Sequence, residues 1–177
     1  MTSLPMTGNT PVIRTDFSDP AAWEAVRAAI LAPGAEAELF TAHVTLVDDP
    51  DFAGYTPEQI LALVNDEFAG RHTCLFIADE TTVSSADWPV LVMDLRDEQG
   101  RTFRAVADEL YGIEANLSTG NMDFSFYAEF ADDTGGVFRG GGPPRSVIKA
   151  GLQQALQNSP SNAMAAMLKP RNLPSGE

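Results

Sequence analysis

Apolar residues recur along this chain in two rhythms. Short runs closed by turn residues predict strands, and stripes spaced three or four apart predict helices. Residues 12–17 form the first run and read as a strand. Asp19 and Pro20 then pair a helix cap with a proline at the first helical position, and Trp23, Val26 and Ile30 recur at helical spacing. Residues 39–47 are rich in β-branched side chains and close at Asp48, Asp49 and Pro50, which predicts a second strand with a turn behind it. Thr56-Pro57-Glu58-Gln59 has capping-box spacing, and Ile60, Val64 and Phe68 fall four apart, so one helix is expected there. Residues 73–78 and 90–93 are apolar runs ending at Asp79 and Asp94, a pattern suited to strands covered on both faces. Residues 97–100 read as a hairpin turn into a fifth strand at 102–106, antiparallel to the fourth.

Val106, Leu110, Ile113 and Leu117 mark a third helix. A fourth, at 123–131, spreads Phe124, Phe126, Tyr127 and Phe130 round its circumference, which demands burial or a partner. Gly135, Gly136, Gly140, Gly141, Gly142, Pro143 and Pro144 read as a linker, beyond which Val147, Ile148, Leu152, Ala155 and Leu156 form a helical stripe. The pattern therefore predicts a flexible leader at 1–11 and an α/β domain at 12–140. The domain's sheet would be mixed and mostly parallel, of about five strands with flanking helices. A Gly/Pro linker and C-terminal helical tail fill 141–177.

Charge changes this picture more than composition does. Hydrophobic residues at 44% and charged residues at 20% are ordinary, but 25 acidic residues against 11 basic ones leave a formal charge of -14. A broad negative potential argues against direct nucleic-acid binding, which needs clustered Lys and Arg; it keeps a protein soluble, or it serves a basic partner or a cation. The tail reverses the sign: residues 140–177 hold Arg145, Lys149, Lys169 and Arg171 against Glu177. Such a tail could lie on its own body or join a neighbouring copy in a homo-oligomer. One cysteine, no apolar N-terminal core and no run of membrane-spanning length point to a cytoplasmic protein, not a membrane one.

No phosphate loop, dinucleotide fingerprint, nucleophile elbow or zinc-spaced histidine pair is present. His72 and Cys74 are two apart, which would place them on one strand face as a base and thiol, or leave them as plain core residues. The positional feature is stronger. Predicted strands run into aspartate at their C-terminal ends: Asp16, Asp48 with Asp49, Asp79, and Asp94. If those strands are parallel, the carboxylates share the sheet edge where open α/β folds bind ligands. Grouped carboxylates repel, so they would recruit a cation, keep protons or bind a basic group. No cofactor is evident, but Asp16, Asp48 and Asp79 could hold Mg2+. The alternative is that each aspartate only caps a helix or closes a turn. Glu114, Asn116, Ser118, Asn121 and Asp123 form a second polar group, suited to satisfying helix ends.

The segments Arg14-Thr15-Asp16-Phe17, Val47-Asp48-Asp49, Phe76-Ile77-Ala78-Asp79, Gly100-Arg101-Thr102-Phe103-Arg104, Asn116-Leu117-Ser118, Asn121-Met122-Asp123-Phe124 and Val137-Phe138-Arg139-Gly140 resemble an uncharacterised bacterial domain-of-unknown-function family. The resemblance spans about 12–140 and implies bacterial origin and domain limits, without an activity. In size and acidity the chain is also similar to immunity proteins, which neutralise a toxin by covering it. The leading expectation is an acidic protein-binding domain, immunity-type or regulatory, which meets a basic partner through Asp16, Asp48, Asp49, Asp79, Asp94, Asn121, Asp123 and Phe124. The rival is a divalent-metal-dependent hydrolase or phosphoryl-transfer enzyme on Asp16, Asp48 and Asp79. That enzyme would lack an evident nucleophile and would need Arg14 or Arg104 for phosphate.

Overall fold

Aspartate and threonine caps start the helices where the sequence places them. The Asp19 carboxylate accepts from the Ala22 N–H at 2.9 Å with Pro20 leading helix α1 (Pro20–Leu31), which buries Trp23, Val26 and Ile30. Thr56 and Gln59 cap each other reciprocally at α2 (Pro57–Leu61). The single helix expected through Phe68 is instead two, because Asn65 is extended and its side chain accepts from the Phe68 N–H at 2.9 Å, starting α3 (Asp66–Arg71). A strong cap inside an apolar stripe overrides the stripe's period. The computed structural model describes residues 2–33 and 41–141. The chain parts after Gly140 into two units, and the sheet and its helices form the first. Residues 142–144 of the predicted linker, the tail helices and residues 39–40 of the predicted second strand lie outside the described residues, whereas the stretch 135–140, also expected to be linker, carries a two-residue strand at Val137–Phe138 with Phe138 buried.

Six strands form one mixed sheet: β1 (Thr10–Arg14), β2 (Val44–Val47), β3 (Cys74–Ala78), β4 (Pro89–Asp94), β5 (Thr102–Val106) and β6 (Val137–Phe138), in the order β2-β1-β3-β4-β5-β6. β1 is parallel to β2 and β3, β5 is parallel to β6, and β4 is antiparallel to both neighbours. The two-residue β6 is too short to show a period and escapes the sequence pattern. Only residues 79–88 separate β3 from β4, and they include the short helix α4 (Glu80–Ser84). A parallel return needs a crossover of about a dozen residues or more, so β4 turns back instead.

Alternation along the strands divides the core in two. Val12, Cys74, Phe76, Ala78, Val90 and Val92 face one side, with α1, α5 (Leu110–Thr119) and α6 (Phe124–Asp133). Ile13, Leu75, Ile77, Leu91 and Met93 face the other, with Phe52, Ile60 and Phe68. The crossover helix after β1 thus lies on one face, and the helices after β2 lie on the other. Since β2 and β3 flank β1, the connections diverge there, at the kind of point where open α/β sheets form a crevice beyond their strand ends. The aromatic helix α6 is core: Phe124 and Phe103 meet edge-on at 5.0 Å, and Tyr127 and Phe130 pack on Phe138 at 5.2 and 5.0 Å. Gly120 closes α5 at φ 68°, in the left-handed conformation a glycine accepts without strain. Residues 2–9 carry no regular element, yet Leu4 is buried in the second core and β1 begins at Thr10. The segment expected to be a loose leader is therefore held by burial. Among the described residues, no helix is long and apolar enough to cross a membrane.

Candidate functional site

Three parallel strands deliver their C-terminal ends to one rim. The Thr15 and Asp16 N–H groups both donate to the Ala78 carbonyl, at 2.9 and 3.3 Å, tying the end of β1 to the end of β3. Arg14, at the last position of β1, is buried and organises the rim. Its Nε donates to the Asp16 carbonyl at 2.9 Å and its Nη1 to Asp48 Oδ1 at 3.0 Å. Its guanidinium carbon stands 4.1 Å from the Phe17 ring centre and 5.1 Å from that of Trp23, an aromatic bracket that favours the cation. The Trp23 indole N–H fills the other Asp48 oxygen at 3.0 Å.

Asp79, at the end of β3, is bound by Arg104 of β5. Nη1 and Nη2 reach its two oxygens at 3.0 and 2.6 Å, and Nη1 also donates to the Pro89 carbonyl at 2.9 Å. Asp79 further caps α4 through the Thr82 N–H at 3.1 Å. Burial alone would push this carboxyl up, but Arg104 and the Thr82 donors outweigh it and hold the group below the usual carboxylate range. The remaining rim carboxylates make local caps only. Asp16 accepts from the Ser18 N–H and hydroxyl at 3.0 and 2.6 Å, and Asp49 accepts from the Asp51 N–H at 3.0 Å. Asp19, Asp49 and Asp51 are exposed.

The expected grouping is corrected at one position. Because β4 runs against β3, Asp94 falls at the opposite end of the sheet, in register with Cys74. There it is 1% exposed, and its carboxylate accepts from the Arg96, Asp97 and Glu98 N–H groups at 2.8, 3.4 and 2.7 Å, folding the turn toward Gly100. Asn121, Asp123 and Phe124 also lie away from the rim. Asn121 donates to Asn116, Asp123 precedes α6, and Phe124 is buried in the core. Asp123 and Phe124 share with Asp94 and Thr73 only a shallow recess of about 40 Å3. Asp16, Asp48 and Asp79 do share one rim, but two of them already hold arginines, and among the described residues no three His, Cys, Asp or Glu side chains form a group able to hold a metal. Glu114 accepts from the Thr10 hydroxyl at 3.3 Å and the His43 N–H at 3.4 Å, a structural role.

His72 and Cys74 do not form a pair. His72 follows α3 and packs with a tilted ring against Phe68 of the second core, centroids 4.7 Å apart, whereas Cys74 lies in the first. Burial, and then the Arg71 charge, lowers the imidazole's basicity, while burial pushes the Cys74 thiol up to about 12.

A second concavity opens at the same end of the sheet, beside the start of β4. It measures about 350 Å3 and is lined by Ala29, Ala86, Asp87, Trp88, Val106, Ala107, Asp108 and Arg139. Arg139 pairs with Asp87 across its mouth. Trp88 has φ 45°, the only positive value at a non-glycine among the described residues, and it precedes Pro89, which restricts it further. A bulky residue held this way costs about 1–3 kcal/mol, supplied by the surrounding packing. The sequence carries no signal for this conformation beyond a tryptophan before a proline.

The sequence model of the family described as a domain of unknown function, DUF6924, matches residues 9–141. The chain belongs to this family. The matched residues take in all six strands, the rim and the cavity beside Trp88. No curated protein matches the chain.

Proposed function

We propose that this DUF6924 domain is a protein-recognition module that binds a basic partner through the rim at the C-terminal ends of β1, β2 and β3. The observation that carries the reading is the division of labour among the rim carboxylates. Asp48 and Asp79 are neutralised by Arg14 and Arg104, which stiffen the rim, while Asp16, Asp19, Asp49 and Asp51 stand at its loops with no cationic partner among the described residues. A rigid frame bearing surplus negative charge suits a lysine- or arginine-rich surface, because complementary potential speeds association and selects partners by sign. A bacterial immunity-type or regulatory role is the setting in which such a module would work.

The test uses an oligo-lysine peptide and a fourfold variant, Asp16→Asn, Asp19→Asn, Asp49→Asn and Asp51→Asn, in which asparagine preserves the local caps. The variant should bind about tenfold more weakly, and the wild-type affinity should fall steeply with salt. A control removes charge from α6 instead, through Glu129→Gln and Asp132→Asn. Equal weakening per charge in both variants would show that only net charge matters and would overturn the assignment to the rim.

A further inference from the structure

We propose that the cavity beside Trp88 binds a small organic cation, an ammonium group carrying a compact apolar or aromatic substituent. Size comes first: about 350 Å3 lies within the range of small-molecule sites, roughly 300–1,000 Å3. The lining comes next. Ala29, Ala86, Val106 and Ala107 give an apolar floor without large side chains to fill it, and the half-buried Trp88 supplies an indole, the best aromatic partner for a cation. The polar groups then decide the sign. Arg139 is already joined to Asp87, whereas Asp108 is exposed and enters no ion pair among the described residues, so the mouth keeps an uncompensated carboxylate. An anionic ligand would meet that carboxylate and the acidic surface around it.

The backbone at Trp88 points the same way. Its N–H donates to the Ser85 carbonyl at 3.3 Å, so the left-handed turn is locked locally and the indole is committed to this wall. No hydrogen bond ties the indole N–H to any described residue, unlike that of Trp23, which is held by Asp48. The cavity shares no carboxylate with the four rim positions, so this site stands apart from recognition of a basic partner.

Phenethylammonium chloride is the probe, with phenethyl alcohol and 3-phenylpropionate as neutral and anionic controls of similar shape. The chain has two tryptophans, and Trp23 is 2% exposed, so a ligand-induced change in tryptophan emission reports Trp88. The ammonium ligand should quench saturably, with the two controls at least about tenfold weaker. Asp108→Asn should weaken the ammonium ligand by about fivefold and leave the alcohol unchanged, since only the charge contact is removed. Trp88→Phe, followed by calorimetry, keeps a ring in the wall and should retain weakened binding. A linear, unsaturable response would overturn the proposal, as would equal affinity for all three ligands. So would equal weakening by Asp108→Asn and the rim variant Asp49→Asn. The oligo-lysine test depends on the rim alone, so either result can fail without the other.

Discussion

The two ends of the sheet both carry aspartates at strand termini, and the two ends use them differently. At the end where β1, β2 and β3 finish, Asp48 and Asp79 are half to partly exposed and are met by arginines from other strands. At the end where β4 finishes, Asp94 is buried and takes three N–H groups from its own turn, without an ion pair among the described residues. One end is closed by long-range pairing between side chains and remains open to solvent. The other is closed by local backbone bonds. An aspartate after a strand is thus not a site by itself; the direction of its strand and the donors within reach decide its work.

Arg104→Ala should break the first end most severely. It leaves the Asp79 carboxylate partly buried without its cation and strips one donor from the Pro89 carbonyl, so urea unfolding should show a loss of about 3 kcal/mol. Asp94→Ala should open the other end at a cost of about 2 kcal/mol, because three turn N–H groups lose one acceptor. Cys74 pairs with that position, and its thiol is inert while buried, so the rate of labelling by a maleimide at mild alkaline pH should rise in Asp94→Ala well above wild type.

Acid titration sharpens the contrast further. Asp79 has a folded pKa below its unfolded value, so its contribution is complete above about pH 4 and is lost as pH falls through the folded value. His72 is also depressed, and its contribution is present above about pH 6.5 and lost on acidification. Stability followed from pH 7 downward should therefore decline first from His72 and again in the carboxylate range, and Asp79→Asn should shrink the second decline, which Glu58 shares, while leaving the first unchanged. The smallest effect belongs to Asp48→Asn, at about 1 kcal/mol, because the Asp48 side chain is 45% exposed and Arg14 keeps its two rings and the Asp16 carbonyl. A larger loss there would mean that the Arg14 pair is structural to the same degree as the Arg104 pair.

Sequence alone determined the caps and the periods, because both act over three or four residues. Asp19 with Pro20 and Thr56 with Gln59 start helices through hydrogen bonds made within one turn, and the runs ending at Asp79 and Asp94 alternate between two covered faces as their lack of polar breaks requires. The tertiary structure decided the rest. The short span of residues 79–88 turned β4 against β3 and carried Asp94 away from the other aspartates. Arg14 met Asp48, 34 residues away in the sequence, and Arg104 met Asp79, 25 away, only once the strands had been placed in order. Trp88 acquired a left-handed backbone that its own residue type disfavours. The two arginine pairs depend on which segments become neighbours, a long-range outcome that no local pattern of residues encodes.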